Sequence, residues 1–242
     1  MCHVYNFVFL PAISIYMEEY HLSIIARIRS DFPSKFGIPR QSGLVEELRA
    51  YVVFEPAYRN ADALRGLEEF SHIWLIWCFS ENVRNTWSPT VRPPRLGGNQ
   101  RMGVFATRSS FRPNALGLSC VRLLGIEQHP QWGTMLVVAG ADLMDGTPIF
   151  DIKPYLLTTD CHPEATKGFT ALNADYTLPV EIPEQLLRKV PASKVDALRA
   201  VLSQDPRPAY QHDENRTYKF TFAGMEVSFS VKNGVVIVSS VT

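Results

Sequence analysis

Residues 117–154 read GLSCVRLLGIEQHPQWGTMLVVAGADLMDGTPIFDIKP. Three strand-length apolar runs lie inside this stretch, Gly117–Leu124, Thr134–Ala141 and Pro148–Ile152, rich in Val, Ile and Leu and parted by turns that contain Gly and Pro. Working outward, the same reading gives strands at Leu22–Arg29, Leu48–Phe54, His72–Phe79 and Met102–Thr107, the first bounded by the turn signal Ser30-Asp31-Phe32-Pro33. A single helix interrupts the series at Ala61–Phe70, with Asn60 as N-cap and Leu64, Leu67 and Phe70 at helical spacing. Many short strands without alternating helices predict a mainly β fold, a single-sheet antiparallel β-barrel, and argue against a doubly wound sheet. The dinucleotide and phosphate-loop glycine fingerprints are absent as well.

The pattern changes after Leu157. A polar, turn-rich stretch, Thr158–Ala174, leads to two helical segments, Pro183–Val190 and Ala192–Gln204, and then to strands Tyr218–Phe222, Met225–Val231 and Val235–Val241, the last two joined at Asn233-Gly234. The expected organisation is an N-terminal extension (1–17), a barrel domain (18–160) and a smaller C-terminal α+β domain (165–242). The apolar stretch Val4–Tyr16 is too short for a transmembrane helix, which needs about 20 residues, and it lacks the basic start and cleavage site of a signal peptide. It reads as an ordered appendage or as a start assigned too early; Met17, followed by a polar lead-in, favours the second.

The 242 residues carry 24 basic and 24 acidic side chains, so no global field holds nucleic acid or an anionic membrane. Four scattered cysteines (Cys2, Cys78, Cys120, Cys161) form no Cys-x-x-Cys pair, suggesting neither a disulfide framework nor a zinc knuckle. Cys161-His162 lacks the further ligands of a zinc site, no metal is expected, and a cytoplasmic location is the default.

The neutral total hides a basic segment. Between Asn82 and Ile126 there is no Asp or Glu but seven arginines: Arg84, Arg92, Arg95, Arg101, Arg108, Arg112 and Arg122. Arginine suits bidentate phosphate contacts and stacking on bases, although a solvated strand surface with ion pairs gives the same pattern. Pro93-Pro94, Gly97-Gly98 and Arg112-Pro113-Asn114 make the segment a set of preorganised loops. A second constellation is Asp142-Leu143-Met144-Asp145-Gly146. Asp145-Gly146 alone is an ordinary hairpin signal, but two carboxylates around an exposed Leu143-Met144 could serve a ribose or amine with apolar contact to a base. A third is the polar loop Gly37–Leu44, weak by itself.

Taken together these segments resemble the TsaA-like family, also called YaeB or TrmO, the tRNA N6-threonylcarbamoyladenosine methyltransferases. The motifs are PRQSGL (39–44), RPPRLGG (92–98), GVFATRSSFRPNALGLS (103–119), DLMDGTP (142–148), DIKPY (151–155) and DPRPAY (205–210). The resemblance implies a β-barrel that binds S-adenosyl-L-methionine, works as a homodimer and methylates N6 of threonylcarbamoyladenosine 37, beside the anticodon loop's triplet, in threonine tRNA. Carried over by position, it implies donor binding by Gln41, Ser42, Gly43, Ser80, Glu81, Arg108, Leu118, Asp142, Leu143, Met144 and Asp145. The basic loops and the C-terminal motif imply tRNA contacts at Arg92, Arg95, Arg112, Arg207 and Tyr210. No catalytic residue is assigned: the proton of N6 could pass to Asp142, to Asp145 or to water, and arginine could stabilise developing charge. Two rival readings keep part of this pattern, a non-catalytic RNA-binding barrel and a methyltransferase acting on another small substrate.

Overall fold

The computed structural model describes residues 20–84, 86–93, 100–173, 176–208, 211 and 213–242. The expected extension 1–17, Arg95, Gly97-Gly98 and Tyr210 lie outside them. Among the described residues there are twelve strands: β1 (Ala26–Arg29), β2 (Arg49–Phe54), β3 (His72–Cys78), β4 (Thr90–Val91), β5 (Met102–Gly103), β6 (Leu116–His129), β7 (Gly133–Ala139), β8 (Pro148–Pro154), β9 (Val180–Glu181), β10 (Tyr218–Phe222), β11 (Met225–Lys232) and β12 (Val235–Val241). Helices are short: α1 (Leu157–Asp160), α2 (Glu184–Leu187) and α3 (Val195–Ser203). Among the described residues no helix is long and apolar enough to cross a membrane.

The chain is mainly β with a large antiparallel sheet, as the strand pattern predicts. Six strands pair in the order β1-β2-β7-β6-β3-β8, and β8 returns to β1, so the sheet is a closed barrel. Alternation fills its interior: Ala26 and Ile28, Ala50 and Val52, Ile73 and Leu75, Leu136 and Val138 all point inward and are buried. Gly117 of β6 faces Trp77 of β3, and a Cβ there would overlap the indole ring. Gly117→Ala is therefore expected to cost about 1–3 kcal/mol through overpacking. Chemical denaturation checks it, and an unchanged midpoint would mean that Trp77 moves aside freely.

The second sheet has the order β10-β11-β12-β9, with β9 parallel to β12. Leu198, Val201 and Leu202 of α3 pack on it against Phe222, Val227, Phe229, Val236 and Val238. This core is not built from the C-terminal residues alone. Phe32, Val45 and Leu48, from the segment between β1 and β2, belong to it, and the Phe32 ring lies 5.5 Å from that of Phe222. Gly37 (φ 94°) lets the segment press on Phe220, 2.5 Å from where a Cβ would sit. Lys194 Nζ completes the seam by donating to Asp31 Oδ2 at 2.6 Å.

Three local expectations are corrected. The helix over 61–70 is two 3-10 turns, Ala61–Leu64 and Leu67–Glu69, interrupted at Gly66 with φ 87°; its cap is as predicted, Asn60 Oδ1 accepting from Asp62 N at 3.0 Å. The strand over 102–107 stops at Gly103, because Val104–Ala106 turns to bury Val104. β6 runs on to His129 past an irregularity between Leu123 and Gly125.

Candidate active site

A cavity of about 830 Å³ opens where β3 ends and β6 begins, beside the 39–41 and 142–147 segments. Seven of the expected donor-binding residues line it: Gln41, Ser80, Glu81, Arg108, Leu118, Asp142 and Met144. Phe79, Phe105, Thr107 and Arg112 complete much of the wall. Segments distant in sequence thus converge on one place.

At its floor is a relay that starts inside the barrel. Trp77 Nε1 donates to Ser119 Oγ at 2.9 Å, and Ser119 Oγ donates to Asp142 Oδ1 at 2.6 Å. Ser119 is almost fully buried. Burial pushes the Asp142 carboxyl above its ordinary range, and this outweighs the opposing hydrogen bonds from Ser119 and the backbone of Asp142 and Ser42, and the charge of Arg108. A carboxylate raised this way is a more basic acceptor, and it faces the cavity.

The 37–44 loop is fastened over this floor. Gly43 N donates to Gly140 O at 2.9 Å, and Gly43 backbone lies 3.2 Å from where a Gly140 Cβ would be. Ser42 and Gly43 therefore stand behind the cavity wall as backbone supports. In front of them, Gln41 Oε1 accepts from Arg108 Nη1 at 2.5 Å, and Gln41 Nε2 donates to Arg40 O at 2.6 Å.

A second cavity, of about 1250 Å³, adjoins the first and shares Arg40, Gln41, Phe105, Thr107, Arg108 and Ser110 with it. Arg40, Arg84, Arg92, Arg101 and Arg108 line it, with no Asp or Glu among the described lining residues. The expected tRNA contact Arg92 is thus in its wall. Arg112 is in the first cavity instead, where its Nη1 donates to Thr107 O at 3.0 Å and fixes its own loop.

The structure corrects three side-chain expectations. Leu143, read as exposed, is 1% exposed and belongs to the barrel core, because the alternation of Ala141, Leu143 and the β8 residues points it inward. The Asp145 carboxylate lies outside both cavities: it accepts from Ser30 N at 3.1 Å and Arg29 Nη1 at 3.3 Å, closing the turn against the end of β1. Arg207, expected on tRNA, is buried and bidentate with Asp205, Nε to Oδ1 at 2.8 Å and Nη2 to Oδ2 at 2.9 Å. A guanidinium so committed is not free to take a phosphate. The pair instead supports the cavity wall, for Asp205 O accepts from Arg40 Nη2 at 3.1 Å.

Ser119 and Trp77, which tie the cavity's carboxylate into the barrel, are residues that the sequence reading did not single out. A signal existed: Gly117, Ser119 and Val121 share the inward face of β6, and a hydroxyl among core positions needs a partner. Among the described residues no group of three or more His, Cys, Asp or Glu is arranged to hold a metal ion.

Comparison with known proteins adds identity to this geometry. A protein of Escherichia coli strain K12, tRNA (adenine(37)-N6)-methyltransferase, is 41% identical over 231 residues, covering 87% of this chain and 97% of its own length. A Pyrococcus abyssi protein named "Probable S-adenosyl-L-methionine-binding protein" is 34% identical over 149 residues, 62% of this chain and 75% of its own. The crystal structure of TrmO from Pseudomonas aeruginosa superposes with a TM-score of 0.75 at 32% identity, covering 93% of this chain and 100% of that one. Residues 27–161 match the tRNA-methyltransferase O N-terminal domain and residues 175–242 match the TrmO C-terminal domain. With both halves matched in order, the chain belongs to the tRNA-methyltransferase O family.

Proposed function

We propose that this protein transfers a methyl group from S-adenosyl-L-methionine to N6 of adenine 37 in tRNA, and more narrowly to threonylcarbamoyladenosine 37 of threonine tRNA. The observation that carries this reading is the pair of adjoining cavities, one floored by a half-buried carboxylate and the other walled by arginines, with Gln41 and Arg108 in the partition. A non-catalytic RNA-binding barrel leaves the first cavity without a use. A small-substrate methyltransferase leaves the second without one.

The residues present fit the donor. Asp142 and Glu81 offer acceptors for hydroxyl and ammonium groups, Leu118 and Met144 offer apolar contact to a base, and Phe79 offers a ring face to a cation. S-adenosylmethionine, when bound, supplies a methyl group activated on a sulfonium. The chain's own task is to hold and align, which is the main source of acceleration in a displacement that needs no protein nucleophile. Gln41 fixes Arg108 in the partition, and Arg40 is fixed there by Asp205. The acceptor nitrogen belongs to a urea-like group and sheds its proton at or near transfer, so these two cations oppose the charge that develops.

In this reading residues 18–160 hold the donor and carry the arginine wall, and residues 165–242 help hold the tRNA, in the cytoplasm. The enzyme works as a homodimer, a state supported by the exposed Leu156 and Leu157 beside the outer face of the barrel. The test is mass spectrometry of tRNA nucleosides from cells with and without the gene. The methylated form of threonylcarbamoyladenosine is expected to disappear from the deletion strain and to return on complementation. Its persistence in the deletion strain sinks the proposal.

A further inference from the structure

Near the place where the two cavities meet, two aromatic side chains stand in solvent. Phe105 is 73% exposed and lines both cavities, and Trp87 is 53% exposed with its ring centroid 6.1 Å from that of Phe105. Neither is loose. Phe105 sits on the 3-10 turn Val104–Ala106, whose neighbour Val104 is buried and whose backbone is tied by Val104 N donating to Pro89 O at 2.9 Å. Thr107 Oγ1 closes the same turn by donating to Val104 O at 2.9 Å. Beside them the Arg84 guanidinium lies 4.2 Å over the ring of Phe111, itself partly exposed.

Holding large rings in water on an anchored turn forgoes the gain of burying them. Such a patch marks a binding surface, and its setting selects the partner. The adjoining cavity carries Arg40, Arg84, Arg92, Arg101 and Arg108 without a described acidic side chain. Aromatic faces beside a groove of arginines are how proteins take unpaired nucleobases: the rings stack on bases while the cations meet phosphates. We propose that Phe105 and Trp87 form a stacking platform for unpaired bases of the RNA substrate, placed at the partition so that a base reaching the first cavity is flanked by a stacked neighbour. This rests on the reading of the protein as a tRNA methyltransferase and adds to it the residues that grip the loop.

The experiment uses the full chain and two RNAs of equal length, an anticodon stem–loop and a continuous duplex, with affinity measured across a range of salt. Phe105→Ala is expected to weaken binding of the stem–loop roughly tenfold and to leave duplex binding and the salt slope unchanged, since no cation is lost. Phe105→Tyr, which keeps a ring, is expected to restore stem–loop affinity. Trp87→Phe is expected to remove the part of the fluorescence change that the stem–loop induces. Equal stem–loop affinity in wild type and Phe105→Ala overturns the platform while leaving the methyltransferase reading intact if wild type methylates tRNA. Failure of wild type to bind the stem–loop at all overturns both. A change in oligomeric state on Phe105→Ala, with RNA affinity unaltered, overturns the platform and assigns the patch to a second copy of the chain.

Discussion

Arg207→Ala is expected to destabilise the protein by about 3–5 kcal/mol, the range seen when one member of a buried ion pair is removed and the other is left unpaired. Arg207 is 8% exposed, and among the described residues its two hydrogen bonds to Asp205 leave Tyr176 Oη, at 3.2 Å, as the remaining side-chain donor to that carboxylate. For a chain of this length the loss corresponds to a fall in Tm of roughly 10 °C or more. Acid adds a second signature. Burial raises the Asp205 carboxyl, but the hydrogen bonds and charge of Arg207 outweigh it, so the net direction is down. A carboxylate lowered on folding stabilises above the ordinary carboxylate range and loses that contribution as pH falls through its folded value. The wild type should therefore lose stability on acidification with a component that Arg207→Ala lacks. Arg207→Lys keeps the charge but not the fork, and an intermediate loss is expected. A variant as stable as wild type whose tRNA affinity has dropped would return Arg207 to the RNA surface.

Asp142→Asn should do the opposite to stability and more to binding. The shape and the acceptor for Ser119 remain, while a charge that burial disfavours is removed. A carboxyl raised on folding costs stability as pH climbs from its unfolded to its folded value, so ionised Asp142 is a net cost at neutral pH. The variant is expected to melt at the same temperature as wild type or higher near neutrality, with the difference vanishing in acid, where both states carry a protonated Asp142. Affinity for S-adenosylmethionine is expected to fall about tenfold or more, because a charge-assisted hydrogen bond of roughly 1.5–3 kcal/mol is lost. Calorimetry and thermal melts on the same preparation decide it. Undiminished affinity would shift donor recognition to Gln41 and Arg108. Stability gained as binding is lost marks a residue kept for function.

The two residues differ in how far the sequence announced them. Asp142 was legible because a second carboxylate beside Asp145-Gly146 exceeds what the turn needs. The turn itself consumes Asp145, whose carboxylate goes to Ser30 and Arg29 on a distant strand. Arg207 was misread for a related reason: its type and the motif around it suggest a phosphate, but whether an arginine meets solvent or a buried partner depends on a fold-level placement that no local pattern carries. The strands themselves were readable from period-two alternation, and the hairpin at Asn233-Gly234 is where the dipeptide puts it, with φ 49° and 74°. What failed were elements that depend on distant packing. Gly66 splits the expected helix, Val104 is pulled inward and ends β5, and the pairing of Val180–Glu181 with β12 has no sequence signal of its own in two residues. The use of Phe32, Val45 and Leu48 in the second core likewise follows from where the β1–β2 segment folds back, not from its own composition.

The most direct measurement is to incubate the purified full-length chain with methyl-labelled S-adenosylmethionine and threonine tRNA carrying unmethylated threonylcarbamoyladenosine, then to digest the RNA and locate the label by mass spectrometry. The predicted result is label on N6 of the nucleoside from position 37 and on no other. Label on a different nucleoside, or none on RNA from a preparation that binds the donor, would contradict the assignment of the adjoining cavities to donor and tRNA.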